Sequence, residues 1–239
     1  MDLKLTEVAE LLNVSEATVR RWVSDGKIPY YRLSSQLLFS RSEVENWVLS
    51  CKQNKEEYAS FAEDFESGSE RLGTHQFGLF RALHKGGVYD NIPGKTKEEV
   101  ICNAMKRIAV DLQLDAEMVT ELLLDRERLM PTALSNGVGV PHTRDFLLQE
   151  SYDVVAVVFP KEPIEYGALD NEPVHTLFFL FACDDKRHLH LLAKLAHLSS
   201  KSENLTYFKM HPNKAQFLDY IKNWESSVKP ARSTVLGSV

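Results

Sequence analysis

Val154-Val155-Ala156-Val157-Val158-Phe159 and Leu177-Phe178-Phe179-Leu180-Phe181 are unbroken apolar runs bounded by turn residues. Each is of strand length, and an apolar side chain at every position, not every second one, asks for cover on both faces. The two runs therefore predict central strands of a sheet packed between helices. Helical patterns lie on either side of them. Thr96 and Glu99 form a capping box ahead of Val100, Ile101, Ala104, Met105, Ile108 and Ala109, which recur at helical spacing. Asp115 caps a further helix to about Leu129. Leu189, Leu192, Ala193 and Ala196 mark another, and Phe217, Leu218, Ile221 and Trp224 the last. Strands interleaved with helices make this region an α/β sandwich.

Upstream the pattern changes. Val8, Leu11 and Leu12 share one helical face and Val19, Trp22 and Val23 another, with Asn13-Val14-Ser15 between them. Ser15 is placed to cap the second helix through the amide of Ala17 or Thr18, and Gly26 to end it in a left-handed conformation. Ile28 to Leu33 and Leu37-Leu38-Phe39 flank Ser34-Ser35 as a hairpin, and Ser40 with Glu43 opens a third helix carrying Val44, Trp47 and Val48. This is an N-terminal winged helix-turn-helix, expected to be all-helical apart from its wing. Its second helix is the element that normally enters the major groove. Thr18 and Arg21 share a face from which they could reach base edges, while Arg20 contacts phosphate and Arg32 serves from the wing. Periodicity alone is equally consistent with ordinary solvated charges.

The expected domains are 1–52, the helix-turn-helix; 53–75, an acidic linker able to form helix; 76–228, the α/β domain; and 229–239, a disordered tail of small and polar residues. Val44, Trp47, Cys51, Asn54, Tyr58, Phe61 and Phe65 recur at spacings of three and four, a heptad seam that would pair two chains as a homodimer. The competing reading puts Val44 and Trp47 inside the head and leaves the rest as a solvated linker.

Over 239 residues, 44% are hydrophobic and 26% charged, ordinary values for a globular protein, and the net charge is -6. Any attraction to nucleic acid must then be local. No apolar run approaches the ~20 residues that span a bilayer, and the N-terminus lacks a signal-peptide pattern, so no membrane insertion and a cytoplasmic location are expected. Cys51, Cys102 and Cys183 are widely spaced and suggest free thiols. No cofactor and no metal are expected. His188 and His190 would lie about 200° apart on a helix, which separates them as ligands.

One histidine stands out. Asn136-Gly137-Val138-Gly139-Val140-Pro141-His142 places an imidazole after a glycine-rich extended run, with Pro141 stiffening the backbone before it. Imidazole is a nucleophile at neutral pH and can accept and pass on a phosphoryl group. Spacing alone leaves an ordinary surface-turn histidine as the commoner reading. A phosphorylated ring needs donors, and Arg126, His188 and Thr132 are the candidates.

Two resemblances sharpen these readings. Leu5 to Ser15, Thr18 to Trp22, Gly26 to Pro29 and Phe39-Ser40-Arg41 resemble the excisionase-type branch of the MerR-like DNA-binding domains. Here the wing, Leu33 to Leu38, is neutral where that family usually carries glycine and basic residues, and acids and bases balance across residues 1–52. Fewer phosphate contacts mean weak DNA binding by a monomer, and leave a regulatory protein as an alternative partner. Leu124 to Arg128, Thr132, Asn136 to Arg144, Pro163-Ile164, Asp170 to Val174 and His188 to Leu192 resemble the enzyme IIA domain of the phosphoenolpyruvate-dependent phosphotransferase system, in its fructose/mannitol and nitrogen-regulatory branch. That resemblance implies a sandwich of the enzyme IIA type. It implies that His142 accepts phosphate through Nε2 from an HPr-type phosphocarrier, with Arg126 and His188 flanking the site. Met130-Pro131-Thr132 stands where that family commonly has Gly-Ser-Thr.

The function expected is a regulator whose phosphohistidine domain signals to a DNA-binding head. The alternatives are a transport component passing phosphate to a IIB partner, and a DNA-binding protein with an inert sensor domain. The acidic stretch Glu56 to Glu70 is the expected link, resting near Arg126 and His188 until phosphate displaces it.

Overall fold

The computed structural model describes residues 2–50 and 78–227, apart from 13, 144, 146 and 149–151. The acidic linker, the tail and all of the heptad seam beyond Trp47 lie outside the described residues.

The N-terminal head runs β1 (Asp2–Lys4), α1 (Leu5–Leu11), α2 (Glu16–Ser24), β2 (Tyr31–Leu33), β3 (Gln36–Ser40) and α3 (Arg41–Ser50). The Ser15 hydroxyl accepts from the Thr18 amide at 3.0 Å and starts α2. Gly26 adopts φ +66°, and the Lys27 amide returns to the Trp22 carbonyl at 2.8 Å, which closes the helix. Ser34, also at positive φ, turns the β2–β3 hairpin.

The expectation of an all-helical head is corrected. A three-stranded antiparallel sheet, ordered β1-β3-β2, forms because Asp2 to Lys4 pairs with Ser40 to Leu38. The short N-terminal run carries no alternation that would announce a strand; the hairpin edge supplies its partner. Val8, Val19, Trp22, Phe39, Val44 and Val48 fill the head's core. Val44 is fully buried there, and the Trp47 ring lies 5.1 Å from that of Trp22, so these two members of the proposed seam pack within the head.

The C-terminal domain runs α4 (Gly78–Lys85), β4 (Val88–Ile92), α5 (Lys97–Leu112), α6 (Ala116–Leu129), β5 (Ala133–Leu134), β6 (Val138–Gly139), β7 (Val154–Pro160), β8 (Thr176–Phe181), α7 (Asp185–Leu198), α8 (Ser202–Phe208) and α9 (Lys214–Ser227). Its sheet is ordered β4-β7-β8-β6-β5 and is mixed, with β7 and β8 antiparallel at the centre. Every residue of these two strands is buried. Val155, Val157, Phe159, Phe178 and Leu180 face one core, while Val154, Ala156, Val158, Leu177 and Phe179 face the other. The period of two is thus present, hidden because both faces are covered. Helices α5 and α6 cover the second face; α4, α7, α8 and α9 cover the first.

The head's core continues without a break into the core on that first face. Helices α1 and α3 pack on α7. Lys186 meets Glu10 at 3.2 Å, and Arg41 forms an ion pair with Asp185 at the start of α7.

Candidate functional site

His142 lies beside β8, in register with the strand before it. Val138 pairs with Thr176, Gly139 with Leu177 and, past Pro141, His142 with Leu180. The Leu180 amide donates to the Pro141 carbonyl at 3.0 Å. The turn that launches this strand is tight: Gly137 has φ +76°, and a Cβ there would come 2.5 Å from the His175 ring. The stiffness expected of the glycine-rich run is therefore supplied by sheet pairing and by the packing of His175 over the turn.

The ring of His142 is fixed at both nitrogens. Nδ1 lies 2.7 Å from the Val140 carbonyl, and Nε2 lies 2.7 Å from Oε1 of Glu45, a residue of α3 in the head. Both side chains are completely buried. A carbonyl and an ionised carboxylate can only accept, so in this contact each ring nitrogen carries hydrogen.

His188 follows the Asp184 N-cap of α7, whose carboxylate accepts from the Arg187 amide at 2.8 Å. Its ring sits edge-on to that of His142 with centroids 5.1 Å apart, and its Nε2 is 3.6 Å from Glu45. Arg126, in the last turn of α6, places Nε 3.9 Å from Glu45 and donates through Nη2 to Asn46 Oδ1 at 3.2 Å. The structure thus gathers His142, His188 and Arg126, and adds Glu45 and Asn46 from the head.

Burial opposes a charge on Glu45, but the hydrogen bonds and positive character of His142 and His188 outweigh it and hold the carboxyl well below the usual carboxylate range. Burial pushes the His188 imidazole down, against the pull of Glu45 and with that of His142. Glu45 is thus held as a carboxylate within this buried cluster.

Thr132 is placed differently from Arg126 and His188. It is fully buried, its hydroxyl donates to Glu127, and its amide donates to the same carboxylate at 3.1 Å. Tyr166 donates there too, at 2.9 Å. Burial pushes the Glu127 carboxyl up, against these donors. Thr132 reaches His142 through backbone: its carbonyl accepts from the Val140 amide at 3.0 Å, and Val140 in turn holds Nδ1. The Thr132 hydroxyl is engaged by Glu127.

On the head, Arg20, Arg21 and Arg32 are exposed. Arg20 pairs with Glu16 at 3.6 Å across one helical turn. Thr18 is half-buried, with its hydroxyl 2.9 Å from that of Ser15 at the start of α2, and belongs to the cap.

Glu45, His142 and His188 bring three ligand-type atoms within 4.8 Å of one another, a donor set of the kind zinc uses. The cluster joins His188 to His142 and Glu45, and not to His190 on its own helix. Arg126 beside the same carboxylate oxygen opposes a dication and favours an anion.

Glu45 escapes sequence reasoning because it looks like a solvated acid between Val44 and Val48. The one available signal is spacing. Arg41, Glu45 and Leu49 fall at i, i+4 and i+8, a second face on a helix whose first face already carries Val44, Trp47 and Val48, and Leu49 is buried.

A histidine anchored on a mixed α/β sandwich, gathered with a second histidine and an arginine around one buried carboxylate, is the site this fold presents. The chain belongs to the family described as phosphoenolpyruvate-dependent sugar phosphotransferase system, EIIA 2, which matches residues 82–224, and its residues 3–52 match a helix-turn-helix domain. It is 32% identical over 128 residues to a nitrogen regulatory protein of Pseudomonas aeruginosa, covering 52% of this chain and 82% of that one. It is 33% identical over 102 residues to the transcriptional repressor DcmR of Methylorubrum extorquens, covering 41% of this chain and 38% of that protein. The fold is similar to the crystal structure of the nitrogen regulatory protein IIA-Ntr from Neisseria meningitidis, with a TM-score of 0.50 and 24% identity over 61% of this chain and 98% of the other. Among the described residues no helix is long and apolar enough to cross a membrane.

Proposed function

We propose that this is a cytoplasmic regulatory protein in which His142 accepts a phosphoryl group from an HPr-type phosphocarrier and the helix-turn-helix head, a DNA-binding element, responds. The carrying observation is the anchoring of Nδ1 on the Val140 carbonyl, which turns Nε2 toward the Glu45 carboxylate that His188 and Arg126 also face. With Nδ1–H held, a neutral ring presents its lone pair at Nε2. That pair attacks phosphorus, the bond from phosphorus to the carrier's ring nitrogen breaks, and the carrier leaves with the electron pair of that bond. The Nδ1 proton stays on His142, bonded to Val140, and offsets part of the charge the ring gains. Such transfers depend on positioning and on charge stabilisation more than on covalent help from the protein. Arg126 and His188 supply donors, and Glu127 with Thr132 keeps the strand in place.

The fused head favours regulation over the transport alternative, in which a IIB partner would take the phosphate. The similarity to a nitrogen regulatory protein and to a transcriptional repressor points the same way. Arg20, Arg21 and Arg32 are the proposed DNA contacts, with Thr18 shaping the start of the reading helix. Intact mass after incubation with phosphoenolpyruvate, enzyme I and an HPr-type carrier tests the reading. One acid-labile, base-stable phosphoryl group is expected, and none on His142→Ala; full labelling of His142→Ala would overturn the assignment.

A further inference from the structure

The acceptor nitrogen of His142 is sealed by the chain's own head. We infer that Glu45 occupies the place of the phosphoryl group, so that docking of the helix-turn-helix head and phosphorylation of His142 exclude one another. This rests on the reading of His142 as the acceptor.

The first argument is space. Glu45 Oε1 stands 2.7 Å from Nε2 with neither side chain exposed, and a phosphorus atom bonded to Nε2 would need that same volume. The second is electron count. In the docked state Nε2 donates its hydrogen to the carboxylate, so no lone pair is offered to an incoming phosphorus. The head must leave and the Nε2 proton must pass to solvent, with Nδ1–H kept on Val140, before transfer begins. The third is charge. A phosphoryl group carries about −1.5 to −2 at pH 7, and beside a buried carboxylate that repulsion is poorly screened. His188 and Arg126, which now face Glu45, would face the phosphate instead.

The contact is a built surface. Asn46 accepts from Arg126, Arg41 pairs with Asp185, Glu10 pairs with Lys186, and Leu49 is buried with the core that the two domains share. The surface around His142 therefore has two partners that compete for it, the phosphocarrier and the head. Arg20, Arg21 and Arg32 stay exposed while the head is docked, so docking governs where the head is held and leaves its reading helix uncovered.

The test uses the full chain, with Glu45→Lys to reverse the charge in the pocket and Arg41→Glu to break the pair with Asp185 without placing a new group on His142. The partners described for both side chains belong to the other domain, so the head's own core is untouched. Two quantities are read: the rate of labelling by phosphoenolpyruvate, enzyme I and HPr-type carrier, and hydrogen exchange in α3 and the first turns of α7. For a coupling of ordinary size, both variants should label about 5- to 150-fold faster than the unaltered chain. Exchange in α3 and α7 should rise in the variants and, in the unaltered chain, upon phosphorylation. Equal labelling rates in all three proteins, or unchanged exchange after full phosphorylation, would overturn the exclusion and leave the acceptor assignment standing. Absence of label on every protein, with faster exchange in the variants, would instead remove the acceptor assignment and the exclusion with it.

Discussion

His142 and His188 differ in kind although their rings touch. On the proposed reading, loss of His142 removes the acceptor atom, whereas loss of His188 only weakens stabilisation of the transferring group. His142→Ala should therefore abolish labelling, and His188→Ala should slow it by a factor of about 10²–10³, as measured by single-turnover transfer from the phosphorylated carrier. Equal effects of the two substitutions would contradict these roles. His175 carries a different prediction. Burial, with a smaller push from Lys209, takes its imidazole down to about 4. An unfolded chain, with a histidine near 6.5, then binds more protons than the folded one between pH 6.5 and 4. Stability is full above that window and falls as the pH drops through it, by at most about 3 kcal/mol for this residue. In denaturant titrations across that range, His175→Gln should show a shallower acid loss than the unaltered chain; superimposable profiles would remove His175 as the cause.

At the scale of elements, one buried carboxylate ties α9 to α4 by hydrogen bonds and to α7 by an ion pair. Glu225 in α9 accepts from the amides of Leu79 and Phe80 at the start of α4, at 3.2 and 2.9 Å, and from Lys194 in α7. Burial pushes the Lys194 amine down while Glu225 holds it up. Glu225→Ala leaves a buried cation and two amides without that acceptor, and should cost about 3–5 kcal/mol in denaturant unfolding. A loss below 1 kcal/mol would mean that the network relaxes around the change. The elements most legible in the sequence were those whose signal is local. Ser15 starts α2 through its hydroxyl and Gly26 ends it through the positive φ that a missing Cβ allows, Asp115 starts α6, and the apolar runs of β7 and β8 form central strands. β1 was not legible, because three residues have no period to read and its partner β3 lies far along the chain. The gathering of Arg126 and His188 around His142 was suggested by family resemblance. Glu45 was invisible because its burial depends on a contact between residues 97 apart in sequence. For Thr132 the sequence suggests a donor to phosphate, and the structure shows its hydroxyl donating to Glu127, a buried contact that no local pattern announces.

For the whole molecule, the acidic stretch Glu56 to Glu70, the link expected from the sequence, lies outside the described residues, and the contacts described between the two domains include Glu45 and the face of α3 around it. Pairing of two chains through Asn54, Tyr58, Phe61 and Phe65 is a separate proposal. Sedimentation at tens of micromolar should show a dimer that Tyr58→Asp with Phe61→Asp dissolves, and a monomer in the unaltered chain would end it. The central claim is that one buried site is shared by phosphate and the head, and small-angle scattering of the full chain before and after carrier-dependent phosphorylation tests it most directly. Expulsion of Glu45 predicts a larger radius of gyration in the phosphorylated protein and no change for His142→Ala treated in the same way. Identical scattering from unlabelled and fully labelled protein would contradict it.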